Sequence, residues 1–494
     1  MIAQKTSDPV VNISLDTIEK NKQALVFVNA KRSAEKVAED IGKKSPLKSE
    51  NLSELSDKIK DVLSRPTKQC ERLASCVKHG IAFHHAGLAP KQKELVEEAF
   101  RVGVIKIIAC TPTLAAGLDL PAFRAIIRDV KRYGNQGMVH IPVLEFLQMA
   151  GRAGRPKYDT YGEAIVIVST NGDKEYIIEH YLNGEPEELY SKLAVEPVLR
   201  TYLLSLIASR IIHSPESITD FFSRTFWAHQ YKDLARMERQ IKKMLDLLIE
   251  WEFLEQVNDV YHATALGKRI AELYIDPLTA HQFLEALKRA ESVKLKSMSF
   301  LQLVSNTLEM RPLLRVKQKE FEEIQEKYAI VQSYLLQLEP SMFEPEYDDW
   351  LGSIKTALML EEWIEEKDEE WMLEKYDSRP GEVRAKIENA DWLLYAVHEL
   401  ARLMNYLPLL KEIMKIRLRL RYGVKEELLP LIKLEGIGRV RARKMFKADI
   451  KDLGDIRKAP IEALKRLLGD GVAISVKRQV GANEIIYQNF KEQF

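Results

Sequence analysis

The pattern that most constrains the fold is an alternation of short apolar runs and helical stretches between residues 24 and 170. Four apolar runs predict buried strands, at residues 24–28, 106–110, 125–130 and 164–168. Residues 33–41 and 90–100 between them have the spacing of amphipathic helices. Apolar strands separated by helices predict an α/β lobe whose parallel sheet is covered by helices on both faces. Ligands of such sheets bind at the carboxyl ends of strands, which is where Thr111 follows the 106–110 run.

Two arginines lie three positions apart in Gln-Met-Ala-Gly-Arg-Ala-Gly-Arg-Pro, from Gln148 to Pro156. The small residues between Arg152 and Arg155 let both guanidinium groups reach one pocket. The γ-phosphate of a nucleoside triphosphate needs such charge as it leaves, and an arginine there contributes ~10³–10⁵ in rate. An ordinary helix with surface arginines is the alternative. We therefore predict Gln148, Arg152 and Arg155 as catalytic residues, with both arginines also binding nucleotide.

A second motif, Thr-Pro-Thr-Leu-Ala-Ala-Gly-Leu-Asp-Leu-Pro, begins at Thr111. The Thr111 hydroxyl can bind a nucleic-acid phosphate, because such contacts fix register without reading sequence. Gly117 and Asp119 are predicted to belong to the nucleotide pocket, with Asp119 linking it to that contact. The alternative is a strand-to-helix turn that needs glycine. Together the two motifs resemble motifs V and VI of superfamily-two helicases, which lie on the second of two RecA-like lobes.

Two upstream segments agree with that resemblance. Residues 27–33, Phe-Val-Asn-Ala-Lys-Arg-Ser, follow a predicted strand and open a helix, as motif IV does in this superfamily. Residues 83–88, Phe-His-His-Ala-Gly-Leu, resemble the motif that follows it. His84 and His85 have no evident third or fourth ligand, so we expect no metal there. We assign His85 instead to the nucleic-acid backbone.

Residues 131–142 predict a β-hairpin, because Gly134-Asn-Gln-Gly137 has turn chemistry between two short flanks. The resemblance implies a strand-separating hairpin, since Ski-like helicases place one at this point. Tyr133 is its candidate nucleic-acid contact. A plain surface hairpin is the alternative.

The sequence contains no Gly-x-x-x-x-Gly-Lys-Ser/Thr phosphate loop and no acidic magnesium box. Its nearest Gly-Lys pairs, at Gly42 and Gly267, lack the upstream glycine and the following hydroxyl. Both elements belong to the first lobe of such helicases. We therefore expect the chain to begin at the second lobe, the magnesium ligands of ATP to lie on the first lobe, and ATP hydrolysis to need that lobe.

Charge is distributed unevenly along the 494 residues, although the net charge is only +1. Residues 411–447 hold 12 Lys and Arg against 4 Asp and Glu, which favours nucleic acid. Residues 361–371 hold 7 acids and one Lys, which predicts a solvated helix face. Three cysteines without metal-ligand spacing indicate a reducing compartment. The first residues lack a signal peptide and no apolar run reaches ~20 residues, so we expect a cytoplasmic, nucleoid-associated protein without membrane contact.

Helical periodicity dominates beyond about residue 175. Short helices followed by a small hairpin predict a winged helix, and the remainder is expected to be helical. Near the C-terminus, residues 434–444 have the pattern of a helix-hairpin-helix element. Gly436 and Gly438 open its turn, whose amides can grip a phosphate. Arg439, Arg441 and Arg443 alternate beside it as further nucleic-acid contacts.

These features, together with Arg384 and residues 389–395, Asn-Ala-Asp-Trp-Leu-Leu-Tyr, resemble the archaeal Hjm (Holliday junction migration) family of Ski-like DNA helicases. The resemblance covers the chain from about residue 15 onward. It implies four domains: a second RecA-like lobe, a winged helix, a helical ratchet domain, and a C-terminal helix-loop-helix domain. Their expected bounds are 1–175, 176–275, 276–404 and 405–494.

In that family a tryptophan and an arginine on one long helix contact bases of the tracking strand. The resemblance therefore implies nucleic-acid contacts for Trp392 and for Arg384, eight positions earlier. A tryptophan can stack on any base, which suits sequence-independent movement. The alternative is a core tryptophan, because Leu393, Leu394 and Val397 lie nearby.

The resemblance implies an ATP-dependent helicase that moves 3′ to 5′ on forked or branched DNA in replication repair and recombination. It also implies a monomer that binds single-stranded and forked DNA, meets replication or recombination proteins, and uses the first RecA-like lobe if that lobe is encoded separately. Two alternatives remain open from the sequence: a nucleic-acid-binding fragment without catalysis, and an RNA helicase of the same Ski-like branch.

Overall fold

A computed structural model describes residues 2–63, 65–117, 120–134, 137–155 and 159–481. Contacts between Cα atoms divide the chain into two compact units. The first comprises residues 1–189 together with 369–384, and the second comprises residues 190–368 together with 385–494. The first unit is therefore assembled from two stretches that lie far apart in the sequence.

A five-stranded parallel sheet forms the centre of the first unit, in the order β2-β3-β1-β4-β7. Its strands are β1 (Ala24–Phe27), β2 (Ile81–His84), β3 (Ile107–Cys110), β4 (Arg124–Ile127) and β7 (Glu163–Val166). Every residue of β1 to β4 is buried, so both faces of the sheet are covered. The predicted α/β fold is confirmed, and the ends of the four apolar runs coincide with strand ends to within three residues.

Helices connect and cover these strands: α1 (Pro9–Glu19), α2 (Lys31–Gly42), α3 (Glu50–Lys60), α4 (Lys68–Val77), α5 (Pro90–Arg101), α6 (Thr113–Gly117), α7 (Val143–Ala150) and α8 (Asn171–Ile177). A π-helical turn, Ile178–Leu182, continues α8. The caps follow from the sequence: the side chains of Asp8, Ser49, Thr67 and Thr170 accept the amides that begin α1, α3, α4 and α8. The two predicted helices of this region correspond to α2 and α5.

A β-hairpin stands beside the sheet, formed by β5 (Lys131–Gly134) and β6 (Gly137–His140). Its strands pair antiparallel, with Tyr133 opposite Met138. The hairpin predicted for residues 131–142 is thus confirmed. Its turn residues, 135 and 136, lie outside the described part of the chain.

The second unit is mainly helical. Its first part comprises α9 (Glu196–Ala208), α10 (Pro215–Ser223), α11 (Phe226–Tyr231), α12 (Leu234–Glu250), β8 (Leu254–Val257), β9 (Val260–Ala263) and α13 (Ala265–Leu273). The strands β8 and β9 form an antiparallel hairpin. Asn258 and Asp259 both have positive φ in its two-residue turn, which matches the right-handed twist of a hairpin. Helices followed by this hairpin confirm the winged-helix prediction.

The helices that follow are α14 (Pro277–Arg289), α15 (Ser297–Ser305), α16 (Phe321–Val331), α17 (Glu346–Ile364), α18 (Glu369–Tyr376), α19 (Pro380–Leu403), α20 (Leu407–Tyr422), α21 (Arg439–Lys447), α22 (Leu453–Lys458), α23 (Ile461–Leu468) and α24 (Asp470–Gln479). Three single 3₁₀ turns separate some of them, Gln318–Glu320, Gln332–Tyr334 and Glu426–Leu428. Helix α18 and the start of α19 belong to the first unit. Residues 424–480 enclose a separate apolar core.

Candidate nucleotide and nucleic-acid sites

A cleft of about 1200 Å³ opens on the first unit beside the two motif arginines. We call it the arginine cleft. Its lining includes Gln23, Lys106, Pro121, Arg152 and Arg155. The structure thus brings both arginines to one pocket, as their spacing predicts.

Asp159 and Gln23 hold Arg155 inside the first unit. Its Nε donates to Oδ2 of Asp159 at 2.7 Å, and its Nη1 donates to Oε1 of Gln23 at 2.6 Å. Lys22 lies 2.6 Å from the same aspartate, whose side chain is almost fully buried. The Arg155 guanidinium and Lys22 hold the pKa of Asp159 at about 2, so this carboxylate stays charged at neutral pH.

Arg152 contacts the neighbouring motif. Its Nε donates to the backbone carbonyl of Ala115 in α6 at 3.0 Å, and its Nη2 contacts the same oxygen. Gly117 is exposed at the end of that helix. Asp119, the other residue predicted for the nucleotide pocket, lies outside the described residues.

A second cavity, of about 780 Å³, opens at the carboxyl ends of the parallel strands. We call it the threonine groove, because Thr111 and Thr113 line it with their hydroxyl oxygens 2.9 Å apart. Three cationic side chains of the motif segments also line it, Lys31, Arg32 and Arg132. Its position fits the expectation that ligands meet this edge of the sheet.

Gln148 lies at the threonine groove and is absent from the lining of the arginine cleft. The sequence grouped it with Arg152 and Arg155, but α7 turns its exposed side chain towards the groove that Thr111 lines. Gln148 is therefore placed to contact whatever occupies the groove, and its predicted catalytic role stays a prediction.

His85 does not reach the groove surface, because its side chain is fully buried. Its Nδ1 accepts the backbone N–H of Gly87 at 3.1 Å, and its Nε2 lies 3.2 Å from Oε1 of Glu35. Burial lowers the pKa of His85, which keeps the imidazole neutral at neutral pH. A direct nucleic-acid contact by His85 is not available in this conformation, whereas the next residue, Ala86, does line the groove.

The hairpin presents Tyr133 to solvent with 84% of its surface exposed. The Nη1 of Arg132 beside it donates to both carboxylate oxygens of Glu145 in α7, at 2.9 Å to Oε1 and 2.7 Å to Oε2. The hairpin is therefore tied to the helix that carries Gln148, and its aromatic side chain remains accessible to a base.

Trp392 and Arg384 both lie on α19, where Arg384 is exposed and Trp392 is half-buried. The indole Nε1 of Trp392 donates to the backbone carbonyl of Leu273 at 3.0 Å. Leu393 and Leu394 next to it are fully buried. Part of the ring thus packs within the second unit and part faces solvent. Base stacking and core packing by Trp392 both stay predictions.

The three C-terminal arginines have different surroundings. Arg441 is exposed, and its Nη1 donates to the carbonyl of Gly436, which has a φ of +78° in the turn before α21. Arg439 lies 5.1 Å from the centroid of the Trp363 ring. Gly438 is exposed at the start of α21, so the predicted turn is present, and phosphate binding by its amides stays a prediction.

Arg443 instead makes ion pairs with acidic side chains. Its Nε donates to Glu366 at 2.8 Å and its Nη2 lies 2.7 Å from Glu427. Glu366 belongs to the acidic run at residues 361–371, and Arg443 lowers its pKa although burial opposes this. The interpretation of that run as a solvated face is therefore wrong for Glu366, because its carboxylate pairs with Arg443 of α21.

Several residues of these sites were not singled out from the sequence. Lys31 and Arg32 lie within the motif IV-like segment 27–33, and the position of Asp159 four residues after Arg155 is a local signal for their ion pair. Nothing local marks Gln23. The described residues contain no group of three or more His, Cys, Asp or Glu side chains that could hold a metal. None of the helices within those ranges is long and apolar enough to cross a membrane.

Three family models match parts of the chain. "Helicase conserved C-terminal domain" matches residues 7–157, "Helix-turn-helix domain" matches residues 162–255, and "Archaeal helicase, domain 4" matches residues 298–423. The first covers the lining of the arginine cleft and that of the threonine groove except Arg379, and the third includes the whole of α19.

Curated relatives extend this similarity over nearly the whole chain. ATP-dependent DNA helicase Hel308 of Pyrococcus horikoshii is 40% identical over 466 residues, which are 93% of this chain and 64% of the relative. The proteins of the same name from Methanocella arvoryzae and Methanococcus vannielii are 38% and 36% identical, over 96% of this chain and 65% and 67% of their own lengths. The chain thus spans about two thirds of the length of the relatives it matches.

Proposed function

Because the chain belongs to the archaeal Hel308 family of superfamily-two helicases, we propose that it forms the DNA-tracking part of an ATP-dependent DNA helicase. One observation carries the proposal: a single sheet presents the motif arginines at one cleft and Thr111 at another. The arginine cleft would meet the triphosphate, and the threonine groove would hold the backbone of one strand. A motor needs such paired sites so that a change at one can move the other.

Helix α6 offers a direct link between the two sites. It begins two residues after Thr111, and its Ala115 carbonyl accepts hydrogen bonds from Arg152. When Arg152 moves towards or away from a γ-phosphate, the hydrogen bond to Ala115 is strained, and α6 carries that strain to Thr111. Loss of the γ-phosphate would then alter the grip on the strand.

The finer parts of the proposal rest on the family. They are movement from 3′ to 5′, action on forked or branched DNA in replication repair and recombination, and Mg²⁺ bound with ATP by groups of a first RecA-like lobe. Arg152 and Arg155 fit the γ-phosphate end of such a nucleotide, because both are cationic and line one open cleft. The bounds of the four domains also remain proposals.

The experiment compares binding of labelled single-stranded DNA, forked DNA and a matching RNA by this chain. Wild-type protein should prefer either DNA to RNA. Thr111→Val should weaken DNA binding by roughly 2–10-fold, because it removes one hydrogen bond worth about 0.5–1.5 kcal/mol. Thr160→Val is the matched control, since Thr160 is an exposed threonine of the same unit that does not line the groove. Equal affinity for RNA would favour an RNA helicase of the same branch.

A further inference from the structure

Residues 369–384 return to the first unit after the chain has formed most of the second. Several ion pairs fix them there. Lys68 lies 2.6 Å from Glu374 and 3.4 Å from Glu370, Arg32 binds Asp377 at 2.9 Å, and Lys31 contacts Glu382. The returning segment is thus built into the lobe.

The loop at residues 86–88 is shaped to receive this segment. A Cβ on Gly87 would overlap the side chain of Arg379, and a Cβ on Gly381 would overlap the carbonyl oxygens of Ala86 and Leu88. The backbone N–H of Gly381 also donates to the carbonyl of Gly87 at 3.1 Å. The glycine in the Phe-His-His-Ala-Gly-Leu segment therefore has a specific role, which is to let Arg379 pack against the backbone at the end of β2.

Glu35 orients the Arg379 side chain. Its Oε1 accepts Nε of Arg379 at 3.1 Å and Nε2 of Gln69 at 3.1 Å, and its Oε2 lies 2.5 Å from Nη1 of Arg72. Arg72 already supplies this carboxylate with a full positive charge. Glu35 therefore fixes the Nε edge of Arg379 while its negative charge is shared between two arginines.

Arg379 also lines the threonine groove, together with Lys31, Arg32 and Thr111. Only 8% of its surface is exposed, so it brings a positionally fixed charge to this wall. A guanidinium held on one edge and open on another suits a phosphate, whose oxygens accept charge-assisted hydrogen bonds. Because little side-chain freedom is left to lose, such a contact costs little entropy on binding.

From this geometry we propose that Arg379 is a nucleic-acid contact of the lobe, and that its guanidinium binds a backbone phosphate of the strand in the threonine groove. The proposal rests on the function proposed above. It assigns to the groove a residue that lies about 270 positions after Thr111 in the sequence, and it gives the returning segment a functional as well as a structural role.

The test measures binding of labelled oligothymidylate to the full chain at several KCl concentrations. Arg379→Gln should weaken binding about 10-fold and lower the slope of log affinity against log salt by about one, as expected for one lost phosphate contact. Arg72→Gln is the matched control. It removes an ion pair to the same Glu35, but Arg72 does not line the groove, so affinity and slope should stay at wild-type values.

Arg379→Lys keeps the charge and guards against misfolding of the glutamine variant. It should retain the wild-type salt slope with a smaller loss of affinity, and melting temperatures should show all three variants folded. If Arg379→Gln and Arg72→Gln bind alike with the wild-type slope, Arg379 is a structural residue and the inference is wrong while the proposed function stands. If wild-type protein does not bind the oligonucleotide, the proposed function and the inference both fail.

Discussion

Glu35 is a buried carboxylate of the first unit that two arginines and two neutral side chains contact. Arg72, Arg379 and Gln69 donate to its carboxylate, and His85 lies beside it. His85 and the two arginines hold the pKa of Glu35 at about 2 against the desolvation that burial imposes. A carboxylate with so low a pKa in the folded state makes the stability of the lobe depend on pH.

We expect this dependence to appear on the acid side. Because the folded pKa lies below the ordinary value of 4.5, the stabilisation is present above about pH 4.5 and is lost as the pH falls towards 2. Its size is on the order of 3 kcal/mol. Hydrogen exchange of β1 and β2, corrected for intrinsic rates, should show protection that falls with acid in wild-type protein. Glu35→Gln should be less protected at neutral pH and less sensitive to acid; parallel curves for the two proteins would contradict this.

Trp392 offers a second test at the residue scale. Its half-buried ring makes one hydrogen bond, to the Leu273 carbonyl. Trp392→Ala should remove ~1–3 kcal/mol of single-strand affinity if the ring stacks on a base. Trp392→Phe keeps a stacking ring and loses only the hydrogen bond, so it should retain most of that affinity. Melting temperature and affinity are measured for both variants. An equal loss of affinity in both would show that the hydrogen bond to Leu273, and not stacking of the ring on a base, supports DNA binding.

At the scale of elements, the hairpin β5–β6 is anchored at one end and open at the other. Arg132 ties it to α7, while Tyr133 is exposed. We expect Tyr133→Ala to reduce the fluorescence change of 2-aminopurine placed at a fork junction and to leave single-strand affinity unchanged. Tyr161→Ala is the control, because Tyr161 is also exposed on the first unit but lies outside the hairpin. Equal effects of the two changes would show that Tyr133 of the hairpin has no specific contact with the fork junction.

Two arginines near the start of α21 are expected to differ, one affecting DNA binding and the other the stability of the fold. Arg441 is exposed beside the Gly436 turn, whereas Arg443 pairs with Glu366 and Glu427. Arg441→Gln should lower the salt slope of DNA binding by about one and leave the melting temperature unchanged. Arg443→Gln should lower the melting temperature, because Glu366 then loses its main partner. A lower salt slope in both variants would instead show that Arg443 also contacts a DNA phosphate.

Local sequence patterns predict some elements and site residues of this chain and miss others. Four strands were predictable because each is a short apolar run, but β2 was not singled out, since its four residues, Ile81–His84, include a polar side chain at the strand end. Arg152 and Arg155 reached one cleft as their spacing predicted, whereas Gln148 did not, because the turn of α7 decides which side chains share a face. Arg379 could not be found this way, since no local pattern reveals a partner that lies some 290 residues from Gly87.

At the scale of the whole chain, we expect binding without turnover. The 494 residues contain no phosphate loop of the Gly-x-x-x-x-Gly-Lys-Ser/Thr type. The purified chain should therefore bind single-stranded DNA but show no DNA-stimulated ATP hydrolysis, because Arg152 and Arg155 act on a triphosphate that a phosphate loop and magnesium must hold. Clear DNA-stimulated hydrolysis by the chain would contradict this. When a separately expressed first RecA-like lobe is added, turnover should appear, and Arg155→Ala should remove most of it.

Because residues 369–384 belong to the first unit, that unit cannot be completed until most of the chain has been synthesised. The ribosome completes the sheet strands by residue 166, but Arg379 emerges only after residues 190–368 have been made. At ~5–20 residues per second, that interval lasts roughly 10–40 s. During it Glu35 and Arg72 are already in the nascent lobe while Arg379 is still untranslated. A nascent chain that stalls before residue 379 therefore carries the sheet and most of the groove lining, but lacks Arg379.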